Sequence, residues 1–375
     1  MNICLFTSSF LPNVGGMENV VHWLALEYCK LGHQVVVLAK TPRKMKQTPE
    51  FPYPVYYYKR SRSEVFFLQS PAKMLKELHK QYKFDAIHAH QMYPTGYLAV
   101  KFAQKNNVSV LLTSHAGDVT PNSKYRRSKI KCRRMIWAMQ NAEAVTGVGV
   151  GVCDEIDSLT GMKKAQYLAN GCFPPSDLPL SAELQSKLEK IGIGSDTEFD
   201  LSVSRLHPAK GLEYLINAYG ILKKRQVNVP IYLMAGSGHN EEELRLQIEQ
   251  LGLADQIYML GAVTPEERDW LLRRCRFFMQ PSMREGMPLT VLESLAAGAP
   301  VIGTDIPGIR ELLQNDWNGK VVPPGDSEAL ANVLERLTAE DQQRFRCNAI
   351  NILESHSWNR IAEQYIAIFQ KLNKK

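Results

Sequence analysis

Two short segments carry residue types that can bind a diphosphate and stabilise its departure. The first, Arg284-Glu285-Gly286-Met287-Pro288-Leu289-Thr290-Val291-Leu292-Glu293, follows the apolar run RFFMQPS and spaces two glutamates eight residues apart. Gly286 admits close backbone approach, Pro288 suits a first helical turn, and Gly298 suits the residue just past the helix end. The amides of Met287, Leu289 and Thr290 would then lie at a helix N-terminus, where the dipole and unpaired N–H groups favour a phosphate. Glu285 is expected in the loop and Glu293 about two turns into the helix, each able to accept from sugar or ribose hydroxyls. On spacing alone, two such glutamates describe a surface helix as readily as a site.

The second segment is Ser204-Arg205-Leu206-His207-Pro208-Ala209-Lys210-Gly211, directly after the apolar run DLSV. Arg205 and Lys210 straddle a tight strand-to-helix turn, a natural seat for a diphosphate and for the charge that builds on it as it leaves. His115 follows the run VSVLLTS and precedes Ala116-Gly117-Asp118, so it should project from a strand's carboxyl end and help position a reacting centre. Asp118 and Glu18 are acceptor-side candidates; each could equally be a carboxylate at a helix N-terminus.

These residues need strands and helices to hold them. NICLFTS, the turn-rich LPNVGG, the helical MENVVHWLALEYCKLG and the strand HQVVVLA form one parallel α/β unit. DAIHAH, a helix from about 95 to 105, VSVLLTSH and AEAVTGVG continue it, with strands apolar on both faces as a helix-covered sheet requires. The proline-rich start of the stretch after Phe173 marks a connection, and a second series follows: DLSVSRL, VPIYLMAGSG, QIYMLGAV, RFFMQPS and APVIGT. The expected fold is α/β, with two Rossmann-like doubly wound domains facing each other across a cleft. The N-terminal, acceptor-side domain spans 1–177, a linker 178–196, and the nucleotide-sugar domain 197–355; a final helix lies in 356–375 and could pack back on the first domain.

Taken together, FLPNVGGMENVV, HAHQ, TSHAGD, LANG, SVSRLHPAKG, MAGSG, IYMLGAV, QPSMREGMPLTVLESLAAGAPVIGTDIPGIRELL, NGKVVPPGD and SHSWNRIAEQY resemble glycosyltransferase family 4, a retaining family with the GT-B fold. The resemblance implies that Glu285 contacts the donor sugar and Glu293 the nucleoside ribose. It implies that Arg205 and Lys210 bind the diphosphate, that Gly15, Gly16 and Gly236 approach the donor, and that His115 lies near the donor sugar. Pro288 stands where many members carry glycine, which removes one amide donor. The implied activity is transfer of a hexose-type sugar from a UDP- or GDP-sugar to a hydroxyl of a lipid-linked glycan or another cell-envelope polysaccharide precursor. The acceptor attacks from the face the diphosphate leaves, so the donor's anomeric configuration is kept. No cofactor is expected, since the nucleotide sugar is a substrate, and no metal: Asp305 has no partner carboxylate nearby in sequence.

Composition is that of a globular chain: 375 residues, 45% hydrophobic, 22% charged, net charge +7. The charge is uneven, with 23 Lys+Arg against 12 Asp+Glu over 1–177, and 22 against 26 thereafter. The excess concentrates in KYRRSKIKCRR (124–134), with no acidic residue between Asp118 and Glu143. On a helical wheel Tyr125, Ser128, Cys132, Met135 and Ile136 form a neutral arc. Lys124, Arg126, Arg127, Lys129, Lys131, Arg133 and Arg134 fill the basic side with Ile130 and Trp137, a pattern suited to an anionic membrane surface. An ordinary helix with a solvated basic face is the competing expectation. The start of the chain has no basic region ahead of its apolar run, and no apolar run reaches the roughly 20 residues of a membrane span. The expected location is therefore cytoplasmic, peripheral on the inner face of the cell membrane.

The seven scattered cysteines are expected to be buried thiols. A nicotinamide dehydrogenase is disfavoured, because the first turn reads PNVGGME and the second strand ends Leu38-Ala39-Lys40. Basic charge without a recognised module does not support nucleic-acid binding. A non-catalytic sugar-nucleotide-binding membrane scaffold, and a sugar phosphorylase or epimerase on the same fold, remain as alternatives.

Overall fold

The continuously apolar runs fold into short strands whose two faces are both covered, as their composition requires. A computed structural model describes residues 1–13, 15–42, 50–59, 67–194 and 196–373. The chain divides into two compact units, Met1–Gly171 with Trp358–Lys375, and Cys172–Ser357.

The first unit is built on β1 (Asn2–Thr7), β2 (Gln34–Lys40), β3 (Val55–Tyr58), β4 (Ala86–His90), β5 (Ser109–Ser114), β6 (Ala144–Gly147) and β7 (Ala165–Tyr167). They form one sheet in the order β3-β2-β1-β4-β5-β6-β7, every pairing parallel. The covering helices are α1 (Gly16–Lys30), α2 (Gln69–Tyr82), α3 (Tyr97–Asn106), α4 (Lys129–Asn141) and α5 (Val150–Thr160). The chain's last helix, Trp358–Leu372, returns to this unit and packs on α1, with Trp358 tilted 5.2 Å from Trp23. Gly171 makes room for it: a Cβ there would come within 2.6 Å of the Trp358 ring.

The second unit carries β8 (Phe199–Val203), β9 (Ile231–Ala235), β10 (Ile257–Gly261), β11 (Phe278–Gln280), β12 (Val301–Thr304) and β13 (Gly319–Val322), in the parallel order β10-β9-β8-β11-β12-β13. Its helices are α6 (Ala182–Lys190), α7 (Leu212–Lys224), α8 (Glu241–Gln250), α9 (Pro265–Arg274), α10 (Leu289–Ala296), α11 (Ser327–Arg336), α12 (Ala339–Ala349) and α13 (Ile352–His356). The last helix of the chain is thus α14 (Trp358–Leu372). Asp200 in β8, fully buried, is neutralised by the paired nitrogens of Arg276 at 2.9 and 2.7 Å and by Tyr219 at 2.8 Å. A buried charge held so closely is costly to leave unpaired.

Several sequence expectations are displaced. The division between units falls at Gly171/Cys172, and the stretch taken as a linker contains α6, whose N-cap Ser181 accepts from the Leu184 amide at 3.2 Å. Strands β3, β7 and β13 were absent from the sequence-based series, and all three are sheet edges. Of the cysteines, Cys4, Cys153, Cys172 and Cys275 are buried, Cys29 and Cys132 are half-buried, and Cys347 is exposed.

In both sheets the strand order reverses once, between β1 and β4 and between β8 and β11. Parallel sheets open a crevice at the carboxyl ends of such strands, because the connecting helices leave to opposite sides. Ser8, His90 and Gln91 stand at one reversal; Arg205, Lys210 and Glu285 stand at the other.

Candidate active site

In the second unit, the turn after β8 is shaped by Pro208–Lys210, a single 3-10 turn capped by His207 Nδ1, which accepts from the Ala209 amide at 3.0 Å. Gly211 ends it at φ +64°, and a Cβ there would lie 2.1 Å from the Pro281 carbonyl. Only glycine lets this turn rest against the loop after β11, to which the Met283 amide binds it by donating to Ala209 O at 2.9 Å. Gly236, at φ +139°, is pressed as closely against Ser204 O. The β8, β9 and β11 loops therefore meet backbone to backbone.

That contact brings Lys210 and Glu285 together. Lys210 Nζ donates to Glu285 Oε1 at 2.6 Å, and the same oxygen accepts from Ser282 Oγ at 2.7 Å and Gln280 Nε2 at 3.0 Å. Gln280 and Ser282 are buried, and Gln280 also donates to Ser282 at 2.7 Å. Glu285 Oε2 carries no hydrogen bond among the described residues, so it is the oxygen left to accept from a ligand hydroxyl. Arg205, on the same turn as Lys210, is exposed and its guanidinium has no partner among the described residues. His207 is held below the usual histidine range, first by partial burial, then by the positive charges of His239, Arg205, Arg284 and Lys210. Three permanent cations therefore crowd one loop end, an arrangement suited to an anion.

Helix α10 begins at Leu289, with Pro288 at its N-cap, one residue later than expected. The amides of Leu289 and Thr290 have no acceptor among the described residues, as a helix's first turn dictates. Gly298 does end the helix, at φ +72°. Glu293 is the fifth helical residue, just over one turn in rather than two, and belongs to a separate pair: Arg268 Nη1 donates to its Oε1 at 2.8 Å. Burial pushes the Glu293 carboxyl up, Arg268 pulls it down, and Asp269 adds a smaller upward push.

Sequence reasoning missed Gln280, Ser282, Arg284 and Arg268. Gln280 and Ser282 were visible as polar interruptions at the end of RFFMQPS. Arg268 lies 25 residues from Glu293 and left no local signal. Asp305 is paired with Arg310 at 2.8 Å. Among the described residues no group of three or more His, Cys, Asp or Glu is arranged to hold a metal ion.

In the first unit, β4 projects His88 and His90 to one face, and His90 Nδ1 lies 3.0 Å from His115 Nε2, just past β5. The imidazoles of His88 and His90 are 4.2 Å apart, those of His90 and His115 5.3 Å and stacked. His88 is fixed by Tyr28 at 3.1 Å and Thr113 at 2.7 Å, and α14 covers it with Tyr365. Burial, reinforced by His115, lowers His88 to about 3; burial lowers His115 to about 4; His90 is pushed down by burial and by both neighbours.

All three histidines therefore stay neutral in the fold while their unfolded counterparts protonate near pH 6.5. The unfolded state binds more protons below that pH, so stability falls as pH drops from 6.5 toward 4. Each histidine contributes a slope of up to about 1.4 kcal/mol per pH unit. We expect the melting temperature of this unit to fall by ~10 °C between pH 7 and pH 5. Thermal unfolding followed by circular dichroism checks it, and a flat profile above pH 5.5 contradicts it.

Gly15 caps α1, and the Glu18 carboxylate lies over it, 2.4 Å from where a Cβ would stand. Ser9 Oγ donates to Glu18 at 2.5 Å, which places this carboxylate at the α1 N-terminus. Gly16 is the first helical residue and exposed. Asp118 is buried and accepts from the Met92 amide at 2.6 Å and Ser114 Oγ at 2.5 Å, locking the loop after β5 to the loop after β4. Glu18 is thus tied to its own loop, and Asp118 joins two loops.

The basic segment is only partly helical: α4 starts at Lys129 with Ser128 as its N-cap, and 124–127 form a turn. Met135 is buried, and Cys132 and Ile136 pack on the core, as the neutral arc predicted. Trp137 departs from the predicted basic face and packs against the core and edge-on to Tyr97 at 5.5 Å. Arg126 is engaged by Glu155 at 2.7 Å. Ile130 is 62% exposed. Beside it opens a cavity of about 330 Å³. Hollows of about 440 Å³ near α6 and α8 and about 850 Å³ at the amino ends of β4 and β5 lie away from the loops where parallel sheets bind ligands.

Among the described residues no helix is long and apolar enough to cross a membrane. The family model for Glycosyltransferase Family 4 matches residues 14–172, and that for Glycosyl transferases group 1 matches residues 185–352. An uncharacterized glycosyltransferase of Methanocaldococcus jannaschii is 25% identical, over 99% of this chain and 98% of that protein. The alpha-monoglucosyldiacylglycerol synthase of Streptococcus pneumoniae is 24% identical, over 90% of this chain and 79% of that enzyme. The crystal structure of Anabaena HepE in complex with UDP-glucose superposes with a TM-score of 0.78 at 18% identity, covering 98% of this chain and 99% of that one. Two parallel Rossmann-like units of the GT-B type, each matched by its own family model, make this chain a member of glycosyltransferase family 4.

Proposed function

We propose that the protein is a retaining hexosyltransferase that uses a UDP- or GDP-sugar and glycosylates a hydroxyl of a lipid-linked glycan or another envelope polysaccharide precursor, at the inner face of the cell membrane. The observation that carries this reading is the Lys210–Glu285 pair, which leaves one carboxylate oxygen open, with Arg205 on the same turn as Lys210 and α10 starting four residues after Glu285. In this reading Glu285 Oε2 accepts from a donor-sugar hydroxyl, while Glu293, steadied by Arg268, takes the ribose. Gly236 and Gly286 keep the backbone close to the donor, and Met287 lines its seat. In the first unit, Gly15, Gly16 and His115, its Nε2 3.0 Å from His90 Nδ1, are the residues proposed for substrate recognition.

The bond from the anomeric carbon to the diphosphate oxygen breaks, and its electron pair goes to the diphosphate. Arg205, Lys210 and the amides of Leu289 and Thr290 stabilise that charge where it develops. The acceptor oxygen bonds to the anomeric carbon on the same face and gives its proton to a phosphate oxygen, so no separate base is needed. The UDP-glucose bound by Anabaena HepE supports a nucleotide-sugar donor, and the diacylglycerol in the pneumococcal relative's name supports a lipid-borne acceptor.

The test is release of nucleoside diphosphate with and without acceptor, with proton NMR of the product's anomeric coupling. Release should depend on the acceptor, and an α-configured donor should give an α-linked product. Acceptor-independent conversion of the donor favours an epimerase, inversion overturns retention, and donor binding without turnover leaves only a scaffold.

A further inference from the structure

The turn after β8 fixes the proton of one more side chain. His207 has an extended backbone and caps the Pro208–Lys210 turn, its Nδ1 accepting from the Ala209 amide at 3.0 Å. An amide can only donate, so Nδ1 offers a lone pair and the one proton of the neutral ring sits on Nε2. That Nε2–H has no hydrogen bond among the described residues, and His207 is exposed. His239, from the loop after β9, backs the ring edge-to-face at a centroid distance of 4.9 Å. The two loops are tied on both sides of this contact: the Leu206 amide donates to Ser237 O at 3.0 Å and the Asn240 amide to Leu206 O at 3.3 Å. Tethered at one nitrogen and backed by a second ring, His207 has little freedom to turn the other nitrogen.

A second proton would have to enter at Nδ1 and break the cap, and the charges of Arg205, Arg284 and Lys210 oppose it. Metal coordination through Nε2 would likewise need the proton moved to Nδ1, against the Ala209 amide, so the two facing imidazoles do not suit a chelate. What the ring offers is a neutral N–H donor set among permanent cations. Its complement is an anion with several oxygens, one to meet the donor while others meet the charges. We propose that His207 Nε2 donates to the diphosphate that Arg205 and Lys210 hold, adding a directed hydrogen bond to their charge. This rests on the reading of the β8 loop as a diphosphate seat. The two kinds of contact differ physically: the charges attract over distance and are weakened by salt, whereas a neutral donor acts only at contact and along one direction.

Two substitutions separate the two nitrogens. His207→Asn keeps an oxygen where Nδ1 stands, so the cap survives while the Nε2–H is lost. His207→Gln places an amide N–H where Nε2 stands and gives up the cap. Calorimetric titration of the full chain with pyrophosphate at about pH 8, where a free imidazole is neutral, should show about 10-fold weaker binding for His207→Asn, with a melting temperature within ~1 °C of wild type. His207→Gln should bind within about 3-fold of wild type, although its melting temperature falls by ~3 °C. Arg205→Ala should weaken binding and flatten its dependence on salt; His207→Asn should leave that dependence unchanged. In nitrogen-resolved NMR of the imidazoles, His207 should carry its proton on Nε2, and that nitrogen should shift when pyrophosphate is added. Undiminished binding by His207→Asn, a loss in His207→Gln as large as that in His207→Asn, a proton on Nδ1, or no binding by the wild type overturns the proposal. Loss of binding in Arg205→Ala with none in His207→Asn would sink this inference alone. Pyrophosphate binding that needs both residues, with no sugar transfer, would sink the transferase reading alone.

Discussion

Glu285→Gln is expected to lower kcat by about 100- to 1,000-fold, with a much smaller change in KM. The substitution keeps the volume and removes the charge that gathers Lys210, Ser282 and Gln280 onto one oxygen. Two things are lost together: the acceptor for the sugar hydroxyl, and the partner that keeps Lys210 aimed at the loop end. Misplacing a reacting group by about 1 Å costs on the order of 100-fold. Glu293→Gln should cost about 10-fold or less, expressed mainly in KM, because Glu293 sits in its own pair with Arg268 and is assigned to the ribose. Steady-state kinetics of the two variants on one donor decide the matter, and equal losses of kcat would undo the division of roles.

Arg205→Ala and Lys210→Met are each expected to reduce kcat/KM by about 100- to 1,000-fold through the leaving group. Lys210→Met separates this role from support of Glu285, since Ser282 and Gln280 still hold that carboxylate at 2.7 and 3.0 Å. Arg205 has no structural partner to lose among the described residues, so its removal should leave the melting temperature within ~1 °C while activity falls. The double variant should lose less than the product of the two single losses, because both cations act on one diphosphate. Full activity of Arg205→Ala would remove it from the site.

Much of this site was legible in the residues, and the reason is local. Arg205, Lys210 and Glu285 sit within a few residues of the ends of strands whose apolar runs are unmistakable, so their placement at the carboxyl ends follows from the parallel α/β pattern. Central strands announce themselves because both faces are buried. The edge strands β3, β7 and β13 did not: VYYY, AQY and GKVV are short, and only one neighbour selects their composition. Helix α6 was read as linker because its proline-rich approach masks the Ser181 cap.

What the sequence could not carry were pairings across distance. Nothing near Glu293 points to Arg268, and nothing near His115 shows that His90 stands 3.0 Å away on the neighbouring strand. Nor does a helical wheel reveal that Trp137 is drawn into contact with Tyr97, or that turns precede α4. Glu18 and Asp118 show the opposite lesson. Both were eligible for substrate chemistry by type and position, and both carry structural hydrogen bonds: Glu18 from Ser9 of its own loop, Asp118 from Ser114 and from Met92 of the neighbouring loop.

The central claim is that the diphosphate, more than the nucleoside, is what the β8 and β11 loops grip. Calorimetric titration of the intact protein with UDP and with uridine measures it directly, in the wild type and in Arg205→Ala/Lys210→Met. The account predicts that wild-type protein binds UDP at least 100-fold more tightly than uridine, a difference of about 2.8 kcal/mol, and that the variant binds the two alike. Equal affinity of the wild type for UDP and uridine, or an undiminished preference for UDP in the variant, would contradict it.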